Sequence, residues 1–127
     1  MIERYAPKTL TRTWGEEVFI AETPHYLGKI LKMQAGTKGG LQKHVEKDET
    51  FYLVEGRALV RFDDGGGLLT RQMGPGESYH IPPGTVHQVE AVTACVFFEA
   101  STPHYDDRVR CEAAYGLPED GGLPTTR

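Results

Sequence analysis

Four polar residues near the middle of the chain have types and spacing that suit metal coordination: Gln42, His44, Glu49 and His87. Gln42 and His44 are two residues apart, so on a strand their side chains point to the same side. Glu49 begins a segment in which every second residue, Phe51 and then Leu53, is apolar. This alternation predicts that Glu49 faces the core of a sheet.

The fourth residue, His87, follows a rigid turn formed by the segment 82–84, Pro-Pro-Gly. His87 is in phase with Val89 and Ala91, which predicts that it also faces inward. A carboxylate and two imidazoles are costly to bury without partners, and a bound cation removes that cost. The sequence therefore predicts a divalent metal site, and its mixed oxygen and nitrogen donors favour first-row ions such as Zn²⁺, Mn²⁺, Fe²⁺ or Ni²⁺.

The elements that position these donors are predicted to be short strands separated by turns rich in Gly and Pro. With 15 glycines in 127 residues, placed in short clusters, the chain is typical of an all-β sandwich, jelly roll or barrel. The only predicted helix covers Asp106 to Tyr115 and ends at Gly116. We expect one domain over residues 1–116 and a loose tail over 117–127. The predicted strands are Glu17–Glu22, Tyr26–Gln34, Phe51–Phe62, Leu68–Gln72, Ser78–Ile81, Val86–Val92 and Ala94–Ala100.

Composition narrows the classes of partner. The net charge of −4 gives no support for a basic nucleic-acid-binding surface. No run of 18 apolar residues is present, and the N-terminus has no apolar stretch typical of a secretory signal. Two cysteines, Cys95 and Cys111, are too few for a disulfide scaffold. We therefore expect a cytoplasmic protein that binds neither nucleic acid nor membrane.

Two segments resemble the paired motifs of the cupin superfamily. The first motif, His-x-His-x(3–4)-Glu-x(6)-Gly, is matched with Gln in the first position, and the second, Gly-x(5)-Pro-x-Gly-x(2)-His, is matched in full. The resemblance implies a double-stranded β-helix, or jelly-roll barrel, with a short C-terminal helix. It also implies one divalent metal ion held by the four donors. The matching residues are Gln42, His44, Glu49 and Gly56 in the first motif and Gly76, Pro82, Gly84 and His87 in the second.

Within that superfamily, the Gln-His-Glu-His set looks like that of the type II phosphomannose isomerases. The segments 81–90 and 106–116 are similar to the corresponding motifs of these enzymes. The resemblance implies a metal-dependent isomerase that interconverts aldose and ketose forms of a sugar or sugar phosphate, with Arg110 in the active site. The tail departs from the family pattern at Ala113, Ala114 and Leu117, which leaves the identity of the sugar open.

In such an isomerase the metal acts as a Lewis acid and a nearby base moves the proton between C1 and C2. Three residues are candidates for the base: His80, Glu99 and His104. Arg110 could neutralise a substrate phosphate or an oxyanion, or could equally pair with Asp106 or Asp107 on a helix surface.

Two alternative functions remain open on the sequence, an iron-dependent cupin dioxygenase and a non-catalytic metal- and sugar-binding cupin. We also expect a two-fold homodimer, because association protects exposed sheet edges, with the segment before Gln34 as the contact.

Overall fold

The computed structural model describes residues 1–118 and contains two antiparallel sheets that face each other. The larger sheet has six strands in the order β1-β2-β3-β10-β5-β8, and the smaller has five in the order β11-β4-β9-β6-β7. The strands, in chain order from β1 to β11, are Lys8–Arg12, Gly15–Glu22, Leu27–Met33, Gln42–His44, Glu49–Glu55, Ala58–Asp63, Leu68–Met73, Ser78–Ile81, His87–Ala91, Cys95–Ser101 and Arg108–Arg110.

The core lies between the two sheets because alternate residues of their strands are apolar and point inward. Leu53 and Val60, one from each sheet, are completely buried. Burial of one such side chain contributes about 1.5–3 kcal/mol to stability. The predicted all-β jelly-roll architecture is therefore confirmed, and its two sheets hold the inward-facing residues at fixed positions.

Gly56 divides the predicted strand Phe51–Phe62 into two strands. The chain turns there between β5 and β6, and Gly56 has a φ of 101°. A Cβ atom at this position would lie 2.3 Å from the carbonyl oxygen of Ala94. Only glycine fits both the backbone angle and the close approach, which explains the glycine at the end of the first motif.

The predicted helix over Asp106–Tyr115 is wrong except for its last turn. Its first half forms β11, which pairs with β4 over Arg108–Arg110, and only Glu112–Tyr115 forms a 3-10 turn. Pairing with the open edge of β4 satisfies the backbone groups of β11, and this tertiary contact overrides the local helical pattern. Gly116 ends the turn in the left-handed conformation.

Two other expectations concern the ends of the chain. Strand β1 was not predicted, and it pairs with β2 to form the β1–β2 hairpin. Of the predicted tail, residues 119–127 lie outside the described residues. Within residues 1–118, no helix is long and apolar enough to cross a membrane.

Candidate metal centre

Three strands bring the four predicted donors together in the barrel interior. Gln42 and His44 lie on β4, and Gln42 is directly opposite His87 of β9. Glu49 is the first residue of β5 in the other sheet. Its Oε1 atom lies 3.2 Å from Nε2 of His87 and 3.7 Å from Nε2 of His44. The candidate ligand atoms of these three residues all lie within 4.8 Å of one another, and all four side chains are buried.

Hydrogen bonds on the far side of each imidazole aim its Nε2 atom at the centre. His87 donates from Nδ1 to the carbonyl oxygen of Thr85 at 2.9 Å. His44 Nδ1 lies 3.1 Å from Oδ1 of Asp107. Because a carboxylate and a carbonyl oxygen can only accept, both rings carry their proton on Nδ1 and leave the lone pair of Nε2 free to bind a metal.

The protonation states of the donors also suit a cation. Burial lowers the pKa of His44, so its ring stays neutral even at pH values somewhat below the ordinary pKa of a histidine. For Glu49 burial opposes ionisation, but the Lys47 ammonium holds its pKa well below the usual value. A neutral imidazole and an ionised carboxylate are the forms that coordinate metals.

Three buried polar atoms of the donors have no hydrogen-bond partner among residues 1–118: Oε1 of Gln42, Nε2 of His44 and Oε2 of Glu49. The last lies 2.8 Å from the Lys47 ammonium, so Gln42 Oε1 and His44 Nε2 are the two without a compensating group. Leaving such an atom unsatisfied costs about 1–3 kcal/mol. A cation at this point would satisfy both atoms, so the residues present fit a divalent metal ion.

Three of the four donors line a small cavity with a largely apolar wall. Gln42, Glu49 and His87 line it together with apolar residues such as Leu31 and Phe97, and its volume is about 40 Å³. A water molecule needs roughly 10–15 Å³ by this kind of measure, so the cavity has room for an ion and one or two waters. A sugar ring is larger, and the interior cavity alone does not hold one.

The sequence profile of the Cupin domain family matches residues 29–100, more than half of the chain. The chain is a cupin. It is also 28% identical over 114 residues to the mannose-1-phosphate guanylyltransferase RfbM of Salmonella typhimurium, a match that covers 86% of this chain and 23% of RfbM. A second relative, the uncharacterized protein MJ1618 of Methanocaldococcus jannaschii, is 33% identical over 57 residues, 45% of this chain and 42% of that protein. This cupin thus spans less than half the length of either relative.

Solved structures share the fold at low sequence identity. The capsular polysaccharide assembling protein CapF of Staphylococcus aureus has a TM-score of 0.74 at 20% identity, over 84% of this chain and 32% of CapF. KdgF from Halomonas sp. has a TM-score of 0.67 at 21% identity, over 81% of this chain and 92% of KdgF. Oxalate decarboxylase from Bacillus subtilis has a TM-score of 0.71 at 15% identity, over 95% of this chain and 38% of that chain. At these identities the similarity establishes the cupin fold alone.

Of the three candidate bases, the structure brings only Glu99 to the cavity of this cupin. Glu99 lies on β10, is buried and lines the cavity beside Glu49. Its Oε2 atom lies 3.1 Å from the ammonium groups of both Lys29 and Lys47. The carboxylate is therefore held in place at the edge of the metal centre.

The other two candidate bases lie away from the centre. On β8, Ile81 is buried opposite Glu49, so its neighbour His80 points outward and pairs with Asp48, with 2.6 Å between Nε2 and Oδ1. His104 follows β10 and its Nδ1 hydrogen-bonds with the Thr102 hydroxyl at 2.8 Å. Neither residue lines the cavity.

Arg110 lies opposite Gln42 on β11, next to the wall of the cavity. The structure places it on a strand and not on a helix surface. Its Nε atom is 3.1 Å from each carboxylate oxygen of Glu112. A Cβ atom on Gly40, a cavity residue, would lie 2.5 Å from that Nε. Glu112 in turn accepts a hydrogen bond from the backbone N–H of Leu41 at 3.1 Å. Arg110 thus braces the chain that leads into β4.

Sequence reasoning missed several charged residues near the centre, including the buried Lys29 and Lys47 and the partly buried Asp107. For Lys29 a signal was present, because it is in phase with the apolar residues Leu27 and Leu31 on β3. A lysine on the buried face of a strand requires a charged partner. Lys47 lies among polar residues between β4 and β5, a pattern typical of an exposed loop, yet it is almost completely buried.

Proposed function

We propose that this cupin is a metal-dependent isomerase that interconverts aldose and ketose forms of a sugar or sugar phosphate. The observation that carries the proposal is the cluster of His44, Glu49 and His87 with Gln42 opposite His87, next to a cavity that Glu99 also lines. With glutamine in the first position, the four donors resemble those of the type II phosphomannose isomerases. The match of 114 residues with a mannose-1-phosphate guanylyltransferase also supports a sugar phosphate as substrate.

Within this proposal the metal-binding residues and Glu99 have different roles. Gln42, His44, Glu49 and His87 hold a divalent ion, which supplies Lewis acidity for the carbonyl and hydroxyl oxygens of the substrate. Isomerisation moves one proton between C1 and C2 and a second between O2 and O1. In this proposal Glu99 takes the carbon-bound proton from one carbon and returns it to the other, and the second proton passes between the two substrate oxygens. Because the cavity is small, the sugar would bind at its mouth, beside the segment that Arg110 and Glu112 brace.

The test is proton exchange during turnover. Protein loaded with Zn²⁺, Mn²⁺, Ni²⁺ or Fe²⁺ is incubated in heavy water with a panel that includes mannose 6-phosphate and fructose 6-phosphate. We expect interconversion, with deuterium entering at C2 of the aldose or C1 of the ketose. Glu99→Gln should reduce kcat by about 10²- to 10⁴-fold, whereas His80→Ala, on the outside of the barrel, should not. No turnover with any metal across the panel would exclude the isomerase.

A dioxygenase is the second candidate, because His44, Glu49 and His87 form a two-histidine, one-carboxylate set. Such sets bind iron in non-haem oxygenases. This alternative predicts that the iron-loaded protein consumes oxygen in the presence of its substrate and that the zinc-loaded protein does not.

We also propose that the protein acts in the cytoplasm. Cys95 and Cys111 are both buried free thiols, and this state is usual in a reducing compartment.

A further inference from the structure

Six side chains of alternating charge form a continuous series inside the barrel, which we name the ion-pair chain. It starts at the β1–β2 hairpin and ends at the metal centre. The contacts in order are Arg12 to Glu17 at 2.8 Å, Glu17 to Lys29 at 3.1 Å, Lys29 to Glu99 at 3.1 Å, Glu99 to Lys47 at 3.1 Å and Lys47 to Glu49 at 2.8 Å.

The interior of the ion-pair chain is excluded from solvent. The side chains of Glu17, Lys29 and Lys47 are 0% exposed, and those of Glu99 and Glu49 are 4–5% exposed. Replacement of buried ion pairs by apolar residues is often neutral or stabilising, so stability alone does not account for five buried charges in one series. The better explanation is that the series acts on the residue at its end, and that residue is Glu49, a proposed metal ligand.

The last contact divides the two oxygens of Glu49 between different neighbours. Oε1 faces Nε2 of both His44 and His87, at 3.7 and 3.2 Å. Oε2 faces Lys47 Nζ at 2.8 Å, an ion pair without hydrogen-bond geometry. Burial opposes the charge of Lys47, but Glu99 and Glu49 hold its pKa above the usual value, so it remains an ammonium group.

We propose that Lys47 is a positioning residue that occupies Oε2 of Glu49 and so presents Oε1 alone to the metal. This inference rests on the metal-binding part of the proposed function and not on the isomerase reaction. Glu99, Lys29 and Glu17 hold Lys47 in turn, so the β1–β2 hairpin, outside the segment 29–100 that the family profile matches, supports the metal centre from a distance.

The experiment measures metal binding without substrate. The dissociation constant for Zn²⁺ is determined by competition with a chelator, and the coordination number by X-ray absorption of the zinc-loaded protein. Lys47→Met should weaken binding by about 10- to 100-fold and add one oxygen ligand as Oε2 becomes available. Lys47→Arg keeps a cation near Oε2 and should restore most of the affinity. Unchanged affinity and coordination number in Lys47→Met would overturn the proposal.

Two further variants keep the test interpretable. If Lys47→Met does not fold, the double variant Lys47→Met/Glu99→Gln removes one charge of each sign and should show the same loss of affinity and the same added ligand. Lys8→Met is the matched control, because it breaks the Lys8–Glu22 ion pair on the surface of the same hairpin and should bind Zn²⁺ like the wild type. An equal loss in Lys8→Met would show a general effect of the hairpin and would contradict a specific role for Lys47. A protein inactive on sugars but with the expected zinc results would refute only the isomerase.

Discussion

The two sheets supply different kinds of candidate ligand to the same centre. The five-stranded sheet provides Gln42, His44 and His87, which are neutral when they bind a metal. The six-stranded sheet provides Glu49, the one charged member of the candidate set. Each histidine is aimed by a single hydrogen bond on its far side, whereas the carboxylate ends a series of five ion pairs. A buried charge needs compensating charges around it, and a neutral donor needs only one hydrogen bond.

The outer faces of the sheets differ as well. Val18, Ile30, Phe98 and Tyr52 are opposite one another on adjacent strands and form an apolar row across the outside of the six-stranded sheet. On the outside of the five-stranded sheet, Arg61 and Glu90 form an ion pair at 2.8 Å. Apolar rows of this kind are typical of surfaces that associate.

Loss of a neutral ligand should have the largest effect. His44→Ala or His87→Ala removes one of four donors, and we expect the purified protein to lose its metal, close to one equivalent per chain in the wild type. Both variants and the chelated wild type should melt at a lower temperature than the metal-loaded wild type, because metal binding stabilises only the folded state. Elemental analysis and thermal unfolding measure these effects.

His80→Ala is the control for this prediction, since His80 is exposed and outside the cavity. Its metal content should equal that of the wild type. Less than a tenth of an equivalent in the reconstituted wild type would rule out the centre itself.

Loss of the residue that orients a neutral ligand should reduce metal binding less than loss of the ligand itself. Asp107 accepts from His44 and from the backbone N–H groups of Glu46 and Lys47, at 2.8 and 2.9 Å. Asp107→Asn keeps the shape but loses the charge and at least one of these hydrogen bonds. We expect zinc affinity to fall by about tenfold, at the low end of the range for Lys47→Met, as measured by the same chelator competition.

The neighbouring exposed residue provides the control for this comparison, because Asp106→Asn should leave zinc affinity unchanged. If Asp107→Asn weakens binding more than Lys47→Met does, the contrast between the charged ligand and the neutral ligands is wrong.

The outer faces of the sheets should determine whether the protein forms a dimer. Substitutions there should have the smallest effect on metal binding. We expect a two-fold homodimer that uses the apolar outside of the six-stranded sheet, including the strands before Gln34. Ile20→Glu places a charge on this face at an exposed position and should give a monomer by light scattering, with zinc affinity retained. Val109→Glu, at an exposed apolar position on β11 of the other sheet, should remain dimeric. A monomeric wild type at micromolar concentration would refute the association.

The sequence could predict that the four candidate donors face the interior, because the direction of each side chain is determined by local spacing. The phase of Glu49 with Phe51, and of His87 with Val89, depends only on the two-residue period of a strand. The same local rule predicted most of the strands. It failed at Arg108–Arg110, where the decisive contact is with β4, more than sixty residues earlier in the chain.

The ion-pair chain could not be predicted in the same way, because its partners are distant in the sequence. Glu99 meets Lys29 only because β10 pairs with β3 in a register that places the two residues opposite each other. Its contact with Lys47 depends on the loop between β4 and β5. A single sequence does not specify these registers, although an inward-facing lysine such as Lys29 indicates that a partner must exist.

The position of Asp107 has a consequence for protein engineering. This carboxylate orients His44 and fixes the turn at Glu46 and Lys47, yet it lies beyond residue 100, where the match to the family profile ends. The two cupin motifs alone therefore do not include every residue that orients the donors. Their transplantation into another barrel would carry over the donor atoms without the orientation of the first histidine, and the graft should bind metal more weakly than the parent until an equivalent acceptor is built beside it.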